Sequence, residues 1–117
     1  TYYAKYKKWC DTYFYLPHRK EPRGIGGIFF DYKKNNFEKD FKFVRDVGIT
    51  FQLIFQKIIR NKMKKKWTTK DKEMQYIKRG RYAEFNLLYD RGTKFGLQTN
   101  GNIEGILMSL PPLAKWK

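Results

Sequence analysis

The chain has 117 residues, 41% apolar and 19% aromatic, which suits at most one domain with a modest, ring-rich core and excludes a disordered chain. Its net charge of +15 points to anionic partners: nucleic acid, an acidic membrane or a polycarboxylate. Cys10 is the only cysteine and His18 the only histidine, which excludes an internal disulfide and a zinc site made from Cys and His alone.

In chain order, Tyr2, Tyr6, Trp9 and Tyr13 recur at helical spacing, which predicts a first helix over 1–15 ending before Pro17. Residues 18–27 form a loop rich in charge and glycine. Ile28, Phe29 and Phe30 read as a short buried strand. Phe37, Phe41, Val44, Phe51, Phe55 and Ile58 keep an i, i+3, i+4 rhythm over about six turns of a long amphipathic helix. Asn35 with Glu38 resembles a capping box at its start, and Gly48 weakens its middle. After a basic connector, Lys62 to Lys66, Thr68 with Asp71 caps a helix over 69–79 that Gly80 stops. Three strands follow, over 82–89, 95–99 and 103–110. They are joined by turns at 90–93 and at Asn100-Gly101-Asn102, the second carrying the strong Asn-Gly hairpin signal. Pro111-Pro112 closes the last strand. The expected fold is α+β, an antiparallel sheet flanked by helices.

The best site in this reading lies on the first hairpin. Arg79 and Arg81 stand before it, and Asp90, Arg91 and Lys94 gather at its turn. Such a cluster holds an acidic ligand and leaves one carboxylate to handle protons. The bland alternative is a surface turn with a trivial ion pair. Arg23-Gly24-Ile25-Gly26-Gly27 is rich in glycine but lacks the following Lys-Ser/Thr of a phosphate loop, so a tight turn is the plainer reading. His18 alone is more often structural than catalytic, and Ser109 sits in no nucleophile elbow. The Lys62–Lys66 run is usually a solvated connector. No apolar run approaches the ~18–20 residues of a membrane helix.

Several blocks taken together are more specific. His18-Arg19, Glu21, Arg23 through Asp31, Arg79 through Tyr82, Glu84 through Leu87, Asp90 through Thr93 and Ile106 through Pro111 closely resemble oxygen-dependent coproporphyrinogen III oxidase. The blocks occur in order along essentially the whole chain. The resemblance implies that residues 1–117 are the C-terminal part of a single domain of that enzyme, so a longer parent protein is expected. It implies an antiparallel sheet flanked by helices, a homodimer, and oxidative decarboxylation of coproporphyrinogen III to protoporphyrinogen IX in haem synthesis. Molecular oxygen is the co-substrate, with no metal or organic cofactor and no nucleic acid. A cytoplasmic setting is expected, with an organelle as the other.

Arginine forks bind carboxylates in pairs of hydrogen bonds and stay charged at any working pH. By resemblance, Asp90 and Arg91 are the catalytic pair, and Arg23, Asn100, Gly101 and Asn102 bind substrate. His18 and Tyr82, with the segment from Tyr82 to Lys117, belong to the dimer interface. The chain departs from the family pattern at Asn102, where an arginine is usual, and at Gly105, where serine is usual. The family's upstream serine, histidine and Asn/Arg blocks are absent, so little activity is expected of this polypeptide alone. Two other readings are a basic nucleic-acid-binding module and a non-catalytic dimerisation relic. A module that binds by charge alone loses affinity steeply as salt rises.

Overall fold

The computed structural model describes residues 2–117. They form two compact units, one built from the residues up to Phe29 with Thr68–Lys117, the other Phe30–Trp67. The chain is mostly helical, with one small antiparallel sheet.

In the first unit, α1 (Tyr2–Tyr13) buries Tyr6 and Cys10. It is followed by β1 (Tyr15–Leu16) and β2 (Glu21–Pro22), paired Tyr15 to Pro22 and Leu16 to Glu21. Lys20 takes φ +54° in the connecting turn. Residues 28–30 form no strand. Phe29 instead donates its N–H to the Tyr6 carbonyl at 3.1 Å and packs its ring on Tyr13 and Phe14. Ring packing there replaces the partner strand that a β segment would need.

Helix α3 (Thr69–Leu88) starts on the capping box expected at Thr68: the Asp71 N–H donates to Thr68 Oγ1 at 3.2 Å and the Thr68 N–H to Asp71 Oδ2 at 2.8 Å. It does not stop at Gly80. A Cβ there would lie 2.4 Å from the Lys115 carbonyl oxygen, so the glycine serves close approach of the C-terminal tail. Lys115 donates its N–H to the Tyr76 carbonyl at 3.0 Å and its Nζ to Glu73 at 2.7 Å. Residues 82–88, expected as a strand, continue α3. Gly80, Ala83 and Asn86 recur every third residue on its buried side, and Phe85 is 1% exposed.

The other two expected strands are also helical. Helix α4 (Arg91–Gln98) is capped by Asp90, which accepts from the Thr93 N–H at 2.8 Å and the Thr93 hydroxyl at 3.0 Å. It ends through Asn100 at φ +54°, with the Gly101 N–H bonded to the Gly96 carbonyl at 2.9 Å. This is a Schellman-type closure. Helix α5 (Ile103–Leu107) is capped by Asn102, which accepts from the Gly105 N–H at 3.2 Å. The expected three-stranded meander is therefore corrected to a run of helices. The left-handed conformation that makes Asn-Gly a hairpin signal also ends a helix, and here it does the latter.

The second unit is dominated by α2 (Phe37–Lys62), which runs unbroken through Gly48. Its cap is Asn36 rather than Asn35, accepting from the Lys39 N–H at 3.0 Å. Glu38 and Asp40 in the first turn and Arg60 and Lys62 in the last complement the helix dipole. Within this unit Phe30 meets Phe43 edge-on at 5.0 Å, and Lys33 pairs with Asp40 at 2.8 Å. No residue of α2 is buried.

Candidate anion-binding site

The site is built on rings. Tyr13 and Phe14 close α1, and Phe85 comes from the last turn of α3. Tyr13 and Phe14 each meet Phe85, with ring centres 5.7 and 5.1 Å apart. Arg23 follows β2, and its N–H donates to the Phe14 carbonyl at 2.9 Å. That bond carries the guanidinium onto the rings: its carbon is 4.0 Å from the centre of Phe14, 4.8 Å from Tyr82 and 5.0 Å from Phe85. Such contacts contribute roughly 0.5–2 kcal/mol each, depending on desolvation. No carboxylate pairs with Arg23 among the described residues. Burial lowers its pKa, while Tyr82, Cys10 and Asp90 raise it. Arginine keeps its proton through such shifts.

Arg91, the first residue of α4, lies over Tyr13 at 5.3 Å. Two guanidiniums thus stand on one aromatic cluster. Asp90 is close enough to be felt by Arg23, and its Oδ2 accepts from the backbone and hydroxyl of Thr93. A cleft of about 850 Å³ opens beside Arg23, lined among others by Cys10, Phe14, Phe29, Lys78 and Tyr82.

Other expected residues lie elsewhere. The hairpin cluster of Arg79, Arg81 and Lys94 around Asp90 does not form, because that hairpin is the end of α3 and the start of α4. Arg79 lies over Tyr76 at 5.7 Å. Arg81 is taken up by Glu21 through its Nε. Asn100, Gly101 and Asn102 make their contacts with Gly96, Gly105 and Ile106, in closing α4 and opening α5. Tyr82 is half-exposed beside Arg23. His18 is held inside the chain: Nε2 lies 2.8 Å from Glu84 Oε2 and Nδ1 2.8 Å from the Tyr89 hydroxyl. The tautomer that donates from Nε2 to the carboxylate leaves Nδ1 to accept from the phenol.

Glu84 is the residue that sequence reasoning missed. Its carboxylate, 10% exposed, accepts from Arg19 Nε and Nη2, both at 2.6 Å, as well as facing His18. The Arg19 hydrogen bond, opposed by burial and helped by His18, lowers its pKa to about 2. The signal was the spacing Arg81-Glu84, which shares a face on a helix but not on a strand. Among the described residues no group of three or more His, Cys, Asp or Glu is placed to hold a metal ion. No helix among them is long and apolar enough to cross a membrane.

Comparison with known proteins gives the family. The family model described as coproporphyrinogen III oxidase matches residues 1–117. The chain belongs to the coproporphyrinogen III oxidase family. It is 64% identical over 116 residues to an oxygen-dependent coproporphyrinogen-III oxidase of Rickettsia bellii (strain OSU 85-389), covering 98% of this chain and 42% of that protein. The protein of the same name from Rickettsia rickettsii (strain Sheila Smith) is 63% identical over 117 residues, covering 99% and 42%. A third, from Rickettsia akari (strain Hartford), is 62% identical over 116 residues. The chain therefore spans less than half the length of these relatives.

Proposed function

We propose that the chain is the C-terminal part of one domain of an oxygen-dependent coproporphyrinogen III oxidase, and that Arg23 and Arg91 hold propionate carboxylates of the substrate. The observation that carries this reading is Arg23: a half-buried guanidinium, fixed on three rings, open to a cleft and paired with no acid. A macrocycle of four pyrrole rings carrying four carboxylates suits a surface of rings edged by arginines, because ring contacts and ion pairing act together.

In the proposed reaction each of two propionates becomes a vinyl group. Carbon dioxide leaves with the carboxyl carbon, a hydride equivalent leaves the side-chain carbon attached to the pyrrole, and the electron pair of the broken C–C bond closes the vinyl double bond. Oxygen with one proton takes up that equivalent as hydrogen peroxide, so no further oxidant is needed. Asp90 presents its Oδ1 as an acceptor for a pyrrole N–H, while Oδ2 keeps α4 capped. The remaining catalytic groups, and the antiparallel sheet and dimer partner that the resemblance implies, belong in this reading to the complete enzyme. Its bacterial relatives support a cytoplasmic setting.

The test is a graft. This chain replaces the matching 42% of the Rickettsia bellii relative, and conversion of coproporphyrinogen III is followed in air and without oxygen. Oxygen-dependent formation of protoporphyrinogen supports the reading. A folded, soluble graft with no turnover contradicts it.

A further inference from the structure

We infer that Glu84 is the positioning residue of the Arg23 site, an inference that rests on the reading of that site as a carboxylate holder. The sheet that carries Arg23 is only two residues long on each strand. A ribbon of that size does not hold its own place. Leu16, fully buried, anchors β1, and charge ties the rest of the hairpin to α3. Arg19 and His18, in the turn between β1 and β2, both reach Glu84 on α3. Glu21, on β2 itself, reaches Arg81 one helical turn earlier. Phe85, the next residue after Glu84, is one of the rings beneath Arg23. Glu84 therefore ties the hairpin to the same turn of α3 that supplies the platform. Arg23 lies one residue beyond β2, so a shift of the hairpin relative to α3 moves the guanidinium off Tyr82 and Phe85.

Glu84 is unsuited to act as the base. Three donors, two from the Arg19 guanidinium and one from the His18 imidazole, already occupy its oxygens. Its effect passes through Arg23. Losing it also leaves Arg19 without its fork partner, and a fork to a carboxylate is among the stronger polar contacts a protein makes.

The experiment uses this chain and two readouts. The first is the Arg23 Nε–Hε NMR signal, which the Tyr82 and Phe85 rings on α3 shift away from that of an arginine without them. The second is the affinity for coproporphyrin III, the stable oxidised tetracarboxylate, read from its fluorescence. Glu84→Gln is expected to return the Arg23 signal to the position of an arginine without those rings and weaken coproporphyrin roughly tenfold. Arg23→Gln is expected to cost the same, and the double variant no more than Arg23→Gln alone, because the two residues act as one unit. Glu73→Gln, which removes only the Lys115 pair, is expected to change neither readout. An unmoved Arg23 signal in Glu84→Gln overturns the inference, as does full additivity in the double variant. If circular dichroism shows Glu84→Gln unfolded, Arg19→Lys makes the same comparison by breaking the fork while keeping the charge. If the signal moves but the parent chain does not bind coproporphyrin, Glu84 positions Arg23 and the carboxylate reading of the site fails.

Discussion

The Arg23 guanidinium carbon lies over Phe14, 4.0 Å from the ring centre, although no acid among the described residues pairs with it. The ring offers partial negative charge on its face without consuming the donors at the guanidinium edge. That leaves the edge for a carboxylate. Phe14→Leu keeps volume close but removes the face. Coproporphyrin III affinity is expected to fall roughly threefold, the loss of one partly exposed cation–π contact. An affinity equal to that of the parent chain would show that the ring only fills space.

Acid should loosen the hairpin from α3. The Glu84 carboxyl is lowered to about 2, mainly by Arg19. A depressed carboxyl contributes stability that is present above its unfolded value and lost as pH falls. The loss should run from about pH 4.5 down to about pH 2 and amount to roughly 2 kcal/mol once solvent screening is allowed for. Urea titrations across that range check it. In Glu84→Gln this component of the pH dependence should vanish.

Two glycines on helices should respond in opposite directions to alanine. At Gly48 a Cβ meets nothing within 4 Å, so Gly48→Ala should stabilise α2 by about 1 kcal/mol. At Gly80 it meets the Lys115 carbonyl at 2.4 Å. Gly80→Ala should lift the tail and cost about 1–3 kcal/mol. Denaturant midpoints of the two variants, together with a shift of the Trp116 signal in the second alone, decide the point.

These glycines also show where the sequence was readable. Helices α1 and α2 follow from apolar periodicity, and the start of α3 from the pairing of Thr68 with Asp71. The third element was misread because Gly80 resembles a stop. Its reason for being glycine lies 35 residues away, in a tail whose path no local pattern reveals. Asn100-Gly101 was misread for another cause. Both a hairpin and a helix end need a left-handed residue, and only the neighbouring Gly96 and Ile106 favour the helix: a Cβ on Gly101 would lie 2.7 Å from the Gly96 carbonyl. The site fared similarly. Asp90 and Arg91 were singled out as a charged turn cluster and Arg23 through family resemblance, yet nothing local shows that Arg23 would rest on Phe14 and Phe85. Glu84 stayed hidden because a strand puts it out of reach of Arg81.

Asp90 caps a helix, and the proposed reaction gives it a second duty that mutation separates. Its Oδ2 caps α4. Asp90→Asn retains a capping oxygen and should cost only a few tenths of a kcal/mol, whereas Asp90→Ala should cost about 1 kcal/mol. In the grafted enzyme both variants should lose turnover if Oδ1 accepts the pyrrole proton. Turnover retained by Asp90→Asn would confine the residue to capping.

The central claim is that Arg23 grips a carboxylate of the substrate. Steady-state oxidation of coproporphyrinogen III by the grafted enzyme and its Arg23→Gln variant tests it most directly. A loss in kcat/KM of about tenfold or more, in a variant that circular dichroism shows folded, is the predicted result. Equal kcat/KM in the two enzymes would contradict the account.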